Sequence, residues 1–173
     1  MSRLAALSRQ QWLLRALVLL APACAFAVEV RAGAAVQLWV VVLLTGFTVL
    51  SAAMPDSHAP LAVPLLVAGY WAMEVGEQIS VSLLAVTVAM VGFHVACLLA
   101  AYGPPSVALD SVLLRRWTAR AGLGCAAAGG VWLAARVADG RDVPGNGWLM
   151  AAALLLVVGW AALLGRKLSV HAG

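Results

Sequence analysis

Charge is what this chain has least of. Only 10% of its 173 residues are Asp, Glu, Lys or Arg, where an ordinary soluble domain carries about 25%. So few charges cannot coat a water-facing surface, and the mean hydropathy of +1.00 agrees. Lysine is nearly missing: Lys167 is the single one among 11 basic residues. With the abundance of alanine, this reads as the coding bias of a high-GC bacterial genome rather than as a structural demand. The 3 cysteines, Cys24, Cys97 and Cys125, lie in apolar runs and form no CxxC pair, so they are expected to behave as small hydrophobes and not as a disulfide framework or redox pair. There is no HExxH, GxSxG, phosphate loop or Cys cluster. The chain is therefore expected to be non-enzymatic, with no catalytic residue, cofactor or metal. Its basic residues flank apolar runs, which excludes nucleic acid as a partner. The two halves show no internal repeat of the kind many transporters carry.

What the chain does have is long apolar runs. A hydrocarbon core of about 30 Å needs about 20 residues of helix, and the runs at 12–30, 34–54, 61–75, 79–101, 118–137 and 147–165 approach that length. The third is short, with Pro64 early and Glu74 near its end. The expectation is an all-α integral membrane protein, a single transmembrane domain over 1–173 built as a bundle of six transmembrane helices. With the N-terminus inside, Arg3, Arg9, Arg15, Arg115, Arg116, Arg120, Arg166 and Lys167 fall on the cytoplasmic side and Arg31, Arg136 and Arg141 outside. That bias follows the positive-inside rule and puts both termini inside a bacterial cytoplasmic membrane. The stretch Ala23-Cys24-Ala25-Phe26-Ala27 offers a small-residue cleavage site. The first run reads instead as a retained anchor, because the second follows after Arg31-Ala32-Gly33; cleavage would leave five spans.

Between the fourth and fifth runs, Tyr102–Trp117 reads YGPPSVALDSVLLRRW. Two prolines stop the preceding helix, and Ser106 is placed to cap a new one. Asp110, Arg115, Arg116 and Trp117 then mark a short helix in the inner interface, either a topology anchor near lipid phosphates or a docking segment for a partner. Small residues at four-residue spacing, Gly92, Ala96 and Ala100 in the fourth run and Gly122, Ala126 and Gly130 in the fifth, suit close helix packing.

Ionisable residues within apolar runs are the default place to seek function. Glu74 and Glu77 stand three apart at the outer end of the third run, either as solvated helix-end acids or as a paired-carboxylate site for a cation or proton, with Tyr70 or Glu29 nearby. His94 lies deep in the fourth run with Met90 and Cys97 on its face, as a buried structural histidine, a proton-handling group or a ligand. His58 and His171 lie outside the runs, so a bis-histidine haem is excluded.

The segment from Gly92-Phe93-His94-Val95-Ala96-Cys97 through Tyr102-Gly103-Pro104-Pro105, followed by Leu113-Leu114-Arg115-Arg116-Trp117, resembles a group of small multi-pass membrane proteins of high-GC Gram-positive bacteria. These are often encoded beside a MoxR-type ATPase and its partner proteins. The resemblance covers about a seventh of the chain and carries over no catalytic residue. It implies membership of a multi-component membrane system. The expected function is an accessory or scaffold subunit whose partners are lipid and other membrane subunits, or a second copy. The alternative is a small ion- or proton-coupled transporter or channel using Glu74, Glu77 and His94.

Overall fold

Helix α1, Arg9–Arg31, starts where Ser8 turns extended and its Oγ accepts from the Gln11 N–H at 3.3 Å. One of the orphan donors of the first turn is thereby satisfied. Its far end closes with two bonds: the Ala34 N–H reaches the Glu29 carbonyl at 3.0 Å, and the Gly33 N–H reaches the Val30 carbonyl at 3.2 Å. This Schellman arrangement needs a left-handed residue, which Gly33 supplies at φ 110°.

The structure is a computed structural model that describes residues 8–75, 80–102 and 109–139. Over them run α1, α2 (Leu38–Ala53), α3 (Ala59–Glu74), α4 (Val81–Ala101) and α5 (Ser111–Asp139), with no strand among the described residues. Pro60 opens α3, where a missing N–H costs nothing. Ser80 caps α4 by accepting from the Leu83 N–H at 3.4 Å. The chain divides into two units, Met1–Gly130 and Val131–Gly173; the packing that follows belongs to the first.

These helices overturn the six-span bundle. Two of them, α1 and α4, are long and apolar enough to cross a membrane. The second expected span, 34–54, becomes a helix of only 16 residues, because the cap at Gly33 ends α1 and residues 34–37 stay out of helix before α2 begins, with Gln37 extended. The third, 61–75, is likewise a 16-residue helix. Sixteen residues rise about 24 Å, short of a core about 30 Å thick. The separate interfacial helix and the fifth span prove to be one 29-residue helix, α5, with Arg115, Arg116 and Arg120 in its first half. The sixth run, 147–165, lies outside the described residues, and so does Ser106, the expected cap of the interfacial helix.

Packing follows the small and β-branched faces. Helix α1 packs most extensively on α4, and α2 on α3, with lighter contacts of α1 on α2 and α3. Arg15, early in α1, donates to the carbonyl of Ala52 at the end of α2, and Gln37, just before α2, donates to Glu74 at the end of α3. Helices α1 and α2, and likewise α2 and α3, therefore run antiparallel. Phe93, Val18, Val40 and Val63 are buried completely or nearly so, joined by Ala21, Ala25, Tyr70, Trp71, Ala96 and Cys97. The outer faces are different. Only 28% of the apolar stretch of α1 and 39% of that of α4 is buried, a share far below that of a core helix in a water-soluble domain.

Candidate functional site

The seam of α1 sets up the site. Gln11, Val18 and Ala25 recur every seven residues, as do Arg15, Pro22 and Glu29, and of these six all but Arg15 are buried. A 3.5-residue period of this kind keeps one stripe against neighbouring helices. Polar residues thus enter the packed stripe at both of its ends.

At the end where α1 and α3 finish, the Glu29 side chain is 0% exposed, and neither carboxyl oxygen has a hydrogen-bond partner. The Tyr70 hydroxyl donates to the Ala35 carbonyl, and the ring is held by Phe26 (centroids 6.0 Å apart, stacked) and Trp39 (6.4 Å, edge-on). Glu74 Oε1 accepts from Gln37 Nε2 at 2.8 Å, and Gln37 Oε1 accepts from the Trp39 indole. The indole N–H of Trp71 is also buried without a partner. At this end of the bundle Glu29, Tyr70 and Trp71 are buried, Phe26, Gln37 and Glu74 are half-buried, and Trp39 is exposed.

At the opposite end, Arg15 Nη1 donates to the Ala52 carbonyl at 2.5 Å. A cation on the last carbonyls of α2 complements the negative end of its dipole. The Gln11 amide, one turn earlier, is buried with both polar atoms unpartnered, as is Arg15 Nε. Gln10 Oε1 accepts from the Leu109 N–H at 2.8 Å, which ties the start of α1 to the residues before α5.

Of the residues singled out in the sequence, Glu74 accepts from Gln37 at the end of α3. Glu77 lies outside the described residues. His94 is exposed on α4 while Cys97 is buried and Met90 half-buried, so the imidazole is neither a buried structural histidine nor part of the Glu29 cluster. Ala96 and Ala100 are buried and Gly92 half-buried, whereas Gly122, Ala126 and Gly130 are exposed on α5. The principal partner of α4 is α1, whose Ala21 and Ala25 supply small residues at the same spacing. Asp110 acts locally. Its Oδ1 accepts from the Val112 N–H at 3.1 Å, and its carbonyl accepts from the Leu114 N–H at 3.0 Å, which makes it the N-cap of α5. Arg115 and Arg116 are exposed, and Trp117 lies 5.0 Å under the guanidinium of Arg120.

Glu29 and Gln11 were the residues hardest to find, although a signal existed. The apolar positions Val18, Ala21, Pro22 and Ala25 step by three and four, and Glu29 continues that phase. All three cysteines are free thiols, and among the described residues no group of three or more His, Cys, Asp or Glu could hold a metal ion. No protein family, curated protein or solved structure matches this chain.

Proposed function

We propose that this chain is a non-enzymatic accessory subunit of a membrane protein complex in a bacterial cytoplasmic membrane, crossing it with α1 and α4. It works by packing its helices against lipid and against other subunits or a second copy. The observation that carries this reading is the outward apolar surface. Leu13, Leu38, Leu65 and Met73 are 71–78% exposed, on α1, α2 and α3, and Val81 on α4 is 66% exposed. Large apolar side chains spread over four helices demand a non-aqueous covering, and lipid together with neighbouring helices supplies one. A multi-component membrane system of the kind that the Gly92–Trp117 segment resembles is the expected setting.

Gentle purification of the tagged chain from native membranes, followed by mass spectrometry, tests the proposal. A stoichiometric membrane partner or a defined homo-oligomer is expected. A monodisperse lone monomer that keeps the cell's phenotype intact contradicts it. A second reading, a small proton-coupled transporter, draws on the burial of the Glu29 carboxyl without a hydrogen-bond partner. The exposure of His94 on α4 weighs against a relay that uses all three named residues.

A further inference from the structure

The end of the molecule where α1 and α5 begin carries a charge imbalance that the helix packing does not use. No acid precedes Glu29 in the chain, and none lies between Asp110 and Asp139. Arg9 on α1 and Arg115, Arg116 and Arg120 on α5 are exposed. No ion pair engages any of the four among the described residues. Arg15 is different: it is half-buried and already donates to the Ala52 carbonyl. Two acids share this end. Asp56, in the turn between α2 and α3, is exposed, and Asp110 is occupied in capping α5.

The fold gathers these arginines from distant parts of the chain. The Leu109 N–H donates to Gln10 Oε1 at 2.8 Å, so the residue beside Arg9 touches the residue two ahead of Ser111, where α5 starts. Along α5, Arg115 to Arg120 covers about 7.5 Å of helix axis, and Arg116 and Arg120 stand four apart on one face.

Aromatic and apolar surface lies directly beside the charges. Trp12 is 54% exposed and Leu13 71%, three and four residues after Arg9. Trp117, between the arginines of α5, lies under the Arg120 guanidinium. Tryptophan beside arginine at the end of an apolar helix is the pattern of a membrane–water interface. A soluble anionic partner would match the charges and leave Trp12 and Leu13 in water. A bilayer with anionic headgroups covers both at once.

We propose that Arg9, Arg115, Arg116 and Arg120 form a surface that selects anionic phospholipid headgroups. The guanidinium forks pair with phosphate oxygens, while Trp12 and Leu13 enter the adjoining acyl layer. This inference rests on the membrane reading proposed above and adds the lipid class to it.

Electron spin resonance of the full-length chain in phosphatidylcholine vesicles tests it, with spin-labelled phosphatidylglycerol and phosphatidylcholine as probes. The motionally restricted fraction of each probe gives its relative association with the protein. Phosphatidylglycerol is expected to be preferred by at least about fivefold, the contribution of one arginine near an anionic surface. The preference should fall as salt rises, and the triple variant R115Q/R116Q/R120Q should bring it close to parity. Arg31→Gln, at the far end of α1, should keep it; an equal loss there overturns the assignment to this end. Circular dichroism checks that helix content is retained. Should the triple variant fail to fold, Arg9→Gln and Arg116→Gln decide: each is expected to lower the preference, and no change in either overturns the surface. Equal association of both lipids with wild type overturns the proposal, as does an undiminished preference in the folded triple variant. Parity in vesicles, with loss of a copurifying subunit in the triple variant, overturns lipid and assigns the arginines to an acidic protein partner. Insertion without selectivity contradicts this surface alone, whereas failure to insert contradicts the membrane reading with it.

Discussion

Gln37 Nε2 stands 2.8 Å from Glu74 Oε1, and that bond links the extended segment ahead of α2 to the last turn of α3. It makes the otherwise short helices α2 and α3 into an antiparallel pair with a polar clasp at one end, and the same amide receives the Trp39 indole. Gln37→Ala removes both bonds and leaves Glu74 without its donor. A loss of about 1–3 kcal/mol is expected, measured by denaturant unfolding in micelles. Gln37→Glu should be at least as harmful, since it sets a second carboxylate against Glu74.

Gly33 and Gly46 make opposite predictions. Gly33 has φ 110°, so Gly33→Ala places a Cβ in left-handed backbone at a cost of about 1–2 kcal/mol even though nothing lies within 4 Å of that Cβ. Gly46 lies inside α2, again with nothing within 4 Å of an added Cβ. Gly46→Ala should stabilise by about 0.5–1 kcal/mol, the helix-interior difference between the two residues. Thermal unfolding of the two variants side by side checks the contrast in sign.

Asp110 separates capping from docking. If its role is to cap α5, Asp110→Asn should be nearly silent and Asp110→Ala should cost about 1 kcal/mol, read as lower helix content on heating. Loss of a copurifying partner in Asp110→Asn with unchanged stability would return this residue to a docking role within Tyr102–Trp117.

The core makes the largest prediction. Phe93 is 0% exposed on the α4 face that meets α1, and Phe93→Ala should cost about 3–5 kcal/mol by loss of contacts and the cavity left behind. His94→Ala, on the exposed side of the same helix, should stay within about 0.5 kcal/mol. Equal effects in an unfolding assay would contradict the helix phase.

Much of this was legible in the apolar runs. The first run, 12–30, matches α1 closely, and 79–101 matches α4 to within two residues, because both are bounded by polar residues and capped by serines. The start of α5 was not legible: Pro104-Pro105 pointed to a cap at Ser106, which lies outside the described residues, while the side chain that accepts the early α5 N–H belongs to Asp110. The six-span count failed for a different reason: hydropathy cannot register that Gly33 closes α1 with a left-handed turn and that 34–37 stay out of helix. Tyr70 and Glu29 could be suspected as neighbours of Glu74, but the burial of Glu29 depends on helices far apart in sequence. The exposure of His94 was not legible because an apolar run gives no helix phase when residues on every face are apolar.

The central claim is that this chain resides in a membrane by virtue of its exposed apolar helix faces. The most direct measurement is an alkaline carbonate wash of cell membranes carrying the full-length chain, followed by detection in pellet and supernatant. The account predicts retention in the pellet and release only by detergent. Quantitative release of folded chain into the carbonate supernatant would contradict it.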